Sequence, residues 1–397
     1  MMQIILFIIL TVLSIMGLLW FIFRAIISII AKIKDKPNFK NISRLRKALA
    51  FLICTLLINV CLITFSQLMS STPAIIDENG NTIKNSIAEL RALKLNGRKQ
   101  WVSIRGWDRS KPVLLFLAGG PGGSQMVAVR NELKELEKHF VVVNWDQPGS
   151  GKSYYAHKIK NITVETYIDD GYALTEYLKE RFSQEKIYLI GESWGSALGI
   201  FLIDKYPESY HAFIGTGQMV DFLETEKIDY YKAIEIAKGK GNIKLVDKLK
   251  ANGEPPYYGS DMVWKSSLYL NYLTEYMSKL SNVHNPGYNT LRDICGNEYG
   301  LLDRINFFRG IVLTFNNVYQ QLYHIDLRED YTKLDVPVYF FLGRYDFNAP
   351  TSLVEEYESV LEAPEKKIVW FEHSAHSPWI NESEKFVKEV LTCFLGD

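Results

Sequence analysis

The first seventy residues contain two long runs of apolar positions. Residues 2–23 carry no charge and apolar positions resume after Arg24, while residues 48–69 are uncharged as well. A helix needs roughly 20 apolar residues to cross the hydrocarbon core of a bilayer. A cleaved signal peptide would carry positive charge ahead of its apolar region, and no basic residue precedes Arg24. The pattern therefore predicts two transmembrane helices, at 2–31 and 48–69.

The segment that joins these two runs, residues 32–47, is strongly basic. It contains seven Lys or Arg and one Asp, whereas the whole chain has 45 basic and 45 acidic residues. Short basic loops stay on the cytoplasmic side of a membrane, where they also meet anionic lipid headgroups. We therefore expect residues 1–70 to form a multi-pass hairpin in the cell membrane, with the lipid bilayer as a partner. After a polar linker at 71–85, the rest of the chain would be extracytoplasmic.

Beyond residue 85, short apolar runs alternate with longer amphipathic ones. This alternation predicts an α/β fold with a mostly parallel sheet that is covered on both faces. It breaks off at 217–332, where the sequence is helical and rich in Tyr, as expected of a cap inserted into the core at 86–216 and 333–397. The predicted strands are 99–105, 112–117, 140–144, 186–190, 212–215, 336–342 and 367–371, and the predicted core helices are 127–138, 164–181, 196–205, 352–361 and 382–394.

A nucleophile motif lies at the end of one predicted strand. The sequence Gly-Glu-Ser-Trp-Gly at 191–195 follows the strand at 186–190 and precedes the helix at 196–205. In this context a G-x-S-x-G sequence forms a sharp elbow that exposes a nucleophilic serine, and the N-terminus of the following helix stabilises negative charge on the substrate oxygen. We therefore expect an α/β-hydrolase fold with Ser193 as the catalytic nucleophile.

A serine nucleophile needs a general base, and the base needs an acid that orients it. In this fold the chain order is serine, acid, histidine, and Asp346 and His376 each follow a predicted strand in that order. His373 competes for the role of base, but the loop must leave the sheet before an imidazole can turn back toward the serine. Asp346 would also suit a helix cap ahead of Ala349. The predicted catalytic triad is Ser193, Asp346 and His376.

A glycine-rich loop at 118–123 follows the predicted strand at 112–117. In this fold the oxyanion is bound by the N–H of the residue after the nucleophile and by one N–H from such a loop. We therefore assign the oxyanion hole to Trp194 and Gly120, with Gly119 as the second choice in the loop.

The sequence gives no sign of a metal, a cofactor or a nucleic-acid partner. No cysteine or histidine cluster has metal-ligand spacing. Residues 149–153 resemble part of a phosphate loop, but Asp146 stands where the full pattern needs glycine. We therefore expect no metal ion and no bound nucleotide or other cofactor, and the net charge of zero indicates no nucleic-acid partner. Outside the cytoplasm, Cys295 and Cys393 would have the opportunity to form a disulfide.

Three motifs together resemble the prolyl aminopeptidase (proline iminopeptidase) family of α/β hydrolases, over about 85–397. The family's His-Gly-Gly-Pro-Gly is similar to residues 118–122, where Ala118 replaces the histidine. Its Asp-Gln-Arg-Gly-x-Gly-x-Ser is similar to 146–153, where Pro148 replaces the arginine, and its nucleophile elbow matches 191–195. The resemblance implies an aminopeptidase that removes a proline-like or small N-terminal residue from short peptides.

The cap decides between an aminopeptidase and its alternatives. Members of that family bind the substrate amine with glutamates of the cap, one of which lies next to a Trp. This chain departs from that pattern, because its cap tryptophan, Trp264, is followed by Lys265. Glu224 and Glu226 are the nearest candidates for binding that amine, although they also suit a solvated helix face. The same triad would serve an esterase or lipase-like hydrolase of small or membrane-derived acyl substrates. A non-catalytic binding protein of this fold is the third alternative.

Overall fold

The computed structural model describes residues 2–285 and 287–396, so that residues 1, 286 and 397 of the predicted domains lie outside the described part. The chain forms two compact units. The smaller unit combines the N-terminal segment up to Ser71 with Asn297–Arg304, and the larger one comprises Thr72–Gly296 and the chain from Ile305 onward.

The smaller unit is built on two long helices, α1 (Met2–Ile33) and α2 (Phe39–Leu68). Each contains an 18-residue stretch of high mean hydropathy, 2.8 in α1 and 2.6 in α2, so that both are long and apolar enough to cross a membrane. Most of their Leu, Ile and Phe side chains are exposed. The helices are joined by polar contacts such as Asn59 Nδ2 to Ser14 Oγ, at 3.2 Å. Within this unit, Gln67 Nε2 donates to Asp303 Oδ1 at 2.9 Å.

One boundary of the predicted hairpin is wrong. The basic segment 32–47 was expected to be a loop, but α2 already begins at Phe39. Lys40, Arg44, Arg46 and Lys47 therefore lie on the first turns of a helix. Lys and Arg are good helix formers. The charged residues therefore mark where the apolar stretch begins, but they do not prevent the helix from starting before it.

The larger unit contains an eight-stranded sheet in the order β1-β2-β4-β3-β5-β6-β7-β8. The pairs β1–β2 and β2–β4 are antiparallel, and all other neighbours are parallel. The sheet explains the alternating pattern of the sequence and confirms the predicted α/β-hydrolase fold class. The strands are β1 (Ile87–Leu95), β2 (Arg98–Gly106), β3 (Val113–Leu117), β4 (Val141–Asp146), β5 (Ile187–Glu192), β6 (Tyr210–Thr216), β7 (Val338–Gly343) and β8 (Lys366–Phe371).

Helices cover both faces of this sheet because its central strands are apolar on both sides. All five residues of β3, six of β4 and six of β7 are buried. The helices that pack on the sheet are α3 (Met126–Glu132), α4 (Val164–Phe182), α5 (Trp194–Lys205), and, after the cap segment described next, α13 (Thr351–Val360), α14 (Pro378–Asn381) and α15 (Ser383–Leu395). Short 3₁₀ helices occupy Lys134–Lys138, Gly151–Ser153, Ile159–Asn161 and Pro207–Ser209.

The chain between β6 and β7 is helical throughout its regular elements among the described residues. These elements are α6 (Phe222–Gly239), α7 (Ile243–Asn252), α8 (Met262–Met277), α9 (Thr290–Ile294), α10 (Leu301–Arg309), α11 (Phe315–Val318) and α12 (Leu327–Asp330), with a π-helical turn at Gly310–Thr314 and a 3₁₀ turn at Tyr319–Gln321. Cys295 and Cys393 are free thiols, so the possible disulfide is not formed.

Candidate active site

The elbow at Ser193 joins β5 to α5 in a conformation that few side chains adopt. Ser193 has φ 53° and ψ −122°, and its N–H donates to Thr216 O at 3.0 Å. A Cβ atom on Gly191 would stand 2.1 Å from Gly195 O, and one on Gly195 would stand 2.2 Å from Leu117 O. Both glycines of the motif are therefore required by close backbone approach, and a strained φ at such a position is typical of a functional site.

His376 and Asp346 form a hydrogen-bonded pair. The distance from His376 Nδ1 is 2.9 Å to Asp346 Oδ2 and 3.1 Å to Oδ1. Asp346 Oδ1 also accepts the N–H groups of Asn348 and Ala349, each at 2.9 Å. The carboxylate thus orders the loop after β7, as a capping residue would, and orients the imidazole as well.

The competing histidine has different surroundings. His373 is exposed, stacks on His284 with ring centroids 4.2 Å apart, and has its Nδ1 3.1 Å from Asn282 O. His373 is not among the residues lining the cavity that contains Ser193, whereas His376 is. The geometry therefore favours His376 as the partner of Asp346.

Two opposing effects set the pKa of His376. Burial alone would lower it, but the charge and hydrogen bond of Asp346, together with the charge of Glu192, outweigh burial and raise the pKa to about 9. A nearby carboxylate stabilises the imidazolium, the form that a general base adopts after it takes a proton from serine.

A cavity of about 750 Å³ brings the predicted chemistry together. Ser193 and His376 share its wall with Gly119 and Gly120 of the loop after β3. Apolar side chains from the cap complete the lining, among them Met277, Val283, Phe307, Phe308 and Ile311. This volume is typical of a small-molecule site and would accept a substrate of a few residues.

The two expected oxyanion-hole segments lie beside Ser193. The N–H of Gly119 donates to Gln125 Oε1 at 3.1 Å and is therefore already engaged, which favours Gly120 in the loop. Trp194 is the first residue of α5, where N–H groups have no partner within the helix. Its buried indole N–H donates to Gln147 Oε1 at 2.9 Å, and Gln147 Nε2 donates to Ala118 O at 2.9 Å. The side chain of Gln147 therefore links the nucleophile elbow to the glycine-rich loop through two hydrogen bonds.

The cap glutamates do not lie where substrate binding would need them. Glu224 is a half-buried partner of Arg328, with 2.6 Å between Oε2 and the guanidinium nitrogen. Glu226 is fully buried and accepts hydrogen bonds from the hydroxyls of Ser266, Tyr269 and Tyr319. Neither lines the cavity around Ser193. The expectation that they bind the substrate amine is therefore corrected. On α6, Glu224 faces Arg328 near the surface, and Glu226 is enclosed by three hydroxyl groups.

A carboxylate that the sequence reasoning passed over does line the cavity. Glu192 occupies the variable position before the nucleophile and is 1% exposed. Ser377 Oγ and Trp379 Nε1 donate to its Oε1, at 2.6 and 2.8 Å. Gln125 Nε2 and the Tyr288 hydroxyl donate to its Oε2. The sequence did contain one indication of this role. Glu192 is a charged residue at the end of a central strand, where the chain is buried.

Comparison with known proteins agrees with this site. Residues 112–235 match the alpha/beta hydrolase fold family. A probable aminopeptidase of Bacillus subtilis (strain 168) is 34% identical over 316 residues, which cover 77% of this chain and 96% of that protein. A proline iminopeptidase of Saccharolobus solfataricus is 25% identical over 296 residues, which cover 74% of this chain and 86% of that protein.

Solved structures show the same fold. The crystal structure of a proline iminopeptidase-related protein from Thermus thermophilus aligns with a TM-score of 0.52 at 19% identity, covering 78% of this chain and 99% of that one. Together with the sequence relatives, the fold and the nucleophile elbow lead to one classification. The chain belongs to the aminopeptidase and proline iminopeptidase family of α/β hydrolases, and it is a serine hydrolase.

Proposed function

We propose that this protein is a membrane-anchored aminopeptidase that removes a small or proline-like N-terminal residue from short peptides. In this proposal Ser193 Oγ attacks the carbonyl of the first residue, His376 takes the serine proton and returns it to the leaving amine, and Asp346 orients the imidazole. The observation that carries the proposal is the cavity that Ser193, on its strained elbow, and His376 both line, with His376 hydrogen-bonded to Asp346 behind it. The N–H groups of Trp194 and Gly120 would bind the oxyanion.

The helical segment 217–332 acts as a cap in this proposal. Its side chains line part of the cavity, including Met277, Val283 and Phe308. A lining of this kind narrows the entrance, which suits a short peptide and excludes a folded protein. The core would consist of 86–216 and 333–397, as expected from the sequence, with 71–85 as a linker.

A free N-terminus is the substrate feature that tests this function. We expect the purified full-length protein in detergent to cleave prolyl or alanyl p-nitroanilide and to lose about 30-fold or more in kcat/KM when the same substrate is N-acetylated, since a buried carboxylate would lose its ammonium partner. The comparison needs only the two substrates under identical conditions. Equal rates on both would contradict an aminopeptidase.

An esterase is the second candidate because the cap contributes apolar residues to the cavity, Phe307, Phe308 and Ile311 among them. Such a wall would also hold an acyl chain. Activity confined to simple acyl esters such as p-nitrophenyl butyrate, with none on aminoacyl anilides, would identify this alternative.

We further propose that α1 and α2 anchor the protein in the cell membrane as a two-span hairpin. Their length and hydropathy support the spans, and the Lys and Arg residues between the apolar stretches support a cytoplasmic connection, which would leave the hydrolase extracytoplasmic. Protease added to intact cells is expected to degrade the hydrolase while sparing residues 32–47. A hydrolase that stays intact until the cells are lysed would contradict this orientation.

A further inference from the structure

The cavity around Ser193 has an uneven charge. Among the described residues that line it, three are carboxylic acids, Glu192, Glu275 and Asp293, whereas His376 is the single basic side chain. A cavity lined by one sign of charge raises the local concentration of ligands of the opposite sign. The three acids differ, however, in how their charge is compensated.

Two of these acids have cationic partners. Glu275 is exposed and pairs with Lys279, which follows the C-terminal end of α8. Asp293 Oδ1 pairs with Arg292 Nε at 2.7 Å, although its Oδ2 is buried without a hydrogen bond. Each of these two acids therefore has a cation beside it, although Arg292 also pairs with Glu132 at 2.6 Å.

Glu192 has no such partner. No Lys, Arg or His within the described residues forms an ion pair with it, and the four donors around its carboxylate are all neutral. A buried carboxylate without a direct ion-pair partner interacts strongly with any charge that enters the same cavity. Glu192 is therefore the carboxylate of this cavity whose charge remains available to a substrate.

Glu192 lies close to the nucleophile. A methyl group placed on Gly119 would stand 3.3 Å from Ser193 Cβ and 3.5 Å from Glu192 Oε2, so that the nucleophile's side chain and the carboxylate both lie beside the same point next to Gly119. In an aminoacyl substrate, the α-nitrogen lies two bonds beyond the carbonyl carbon that Ser193 would attack. The ammonium of such a substrate would therefore lie near Glu192.

We propose that Glu192 is the specificity-determining residue of this site, which selects substrates with a positive charge next to the scissile carbonyl. This inference deepens the proposed aminopeptidase function and rests on it for the substrate class, an N-terminal ammonium. It assigns recognition of the amine to the elbow instead of to the cap glutamates Glu224 and Glu226.

The test uses inhibitors, so that it can be run with whichever substrate the full-length enzyme turns over. Competitive inhibition constants are measured for n-butylammonium and for butanol, an uncharged molecule of similar size. We expect wild-type protein to bind the cation about tenfold more tightly or better, because two unit charges a few ångströms apart attract substantially in a partly buried site. We expect Glu192→Gln to reduce that preference to less than about twofold. A wild-type enzyme without a preference, or a variant that retains it, would overturn the proposal.

Two further variants separate the charge of Glu192 from its structural contacts. Tyr288→Phe removes one hydrogen bond to Glu192 but leaves its charge, and it should retain the cation preference. Glu226→Gln changes the other buried glutamate, and it should retain the preference as well. Loss of the preference in this variant alone would instead assign binding of the amine to the cap. If Glu192→Gln does not fold, Glu192→Asp, which withdraws the carboxylate by one methylene, should weaken the preference several-fold, and an unchanged preference would overturn the proposal.

The pH profile supplies an independent readout. The charge of Glu192 contributes to the raised pKa of His376, and the base acts only when it is neutral. The midpoint at which kcat/KM rises with pH should therefore move to lower pH in Glu192→Gln, whereas loss of a purely structural contact would not move it. An unchanged midpoint would overturn the proposal. If the wild-type enzyme hydrolyses only acyl esters, the aminopeptidase function fails, yet the inhibitor comparison still reports whether Glu192 selects a cation.

Discussion

Replacing Ser193 by alanine is expected to lower kcat by about 10⁴-fold or more while the protein remains folded. The hydroxyl is the nucleophile of the proposed mechanism, and without it the cavity retains only binding and its oxyanion donors. The elbow should persist because it is held by backbone contacts, such as Ser193 N–H to Thr216 O at 3.0 Å, which alanine preserves. Alanine also carries the same Cβ at the strained φ.

The measurement is steady-state hydrolysis of an aminoacyl anilide and of an acyl ester, alongside thermal unfolding. Ser359→Ala is the matched control, since Ser359 donates only to Glu356 O on the exposed side of α13. We expect this control to retain wild-type turnover. Near-normal turnover by Ser193→Ala on either substrate would exclude Ser193 as the nucleophile.

Replacing His376 by alanine is expected to lower kcat by a comparable factor, on the order of 10³-fold or more, because the serine then has no base. His373→Ala is the control that the chain itself offers, three residues away in the same loop. His373 stacks on His284 at the surface, whereas His376 pairs with Asp346 at 2.9 Å. We expect His373→Ala to remain within about threefold of wild type. An inactive His373→Ala together with an active His376→Ala would reverse the assignment.

The sequence predicted the parallel part of the sheet well, because buried parallel strands are continuous apolar runs. All seven predicted strands are present, with ends that differ by a few residues. The strand β1 was missed because Ile87–Leu95 contains Ala, Glu, Leu and Lys, residues that favour helices. Its signal was the Asn96-Gly97 pair, both with positive φ, which forms a two-residue hairpin turn to β2.

The surroundings of the nucleophile were harder to predict than its position. A motif of fixed spacing identifies Ser193, and chain order identifies Asp346 and His376 as partners. The contacts of a side chain in the cap depend instead on which face of a helix packs inward, and nothing in the local pattern of α6 gives the cavity's direction. The sequence pattern therefore favours Glu224 and Glu226 for binding the amine. It does not indicate Glu192, which stands at a position that the motif leaves variable.

Covalent labelling identifies the nucleophile of this protein without requiring that its substrate be known. The full-length protein in detergent is treated with a fluorophosphonate, which reacts with activated serine nucleophiles, and the modified residue is located by peptide mass spectrometry. We expect a single adduct on Ser193, abolished in Ser193→Ala and strongly slowed in His376→Ala but not in His373→Ala. An active preparation that carries its adduct on another residue, or that keeps full activity once Ser193 is labelled, would contradict it.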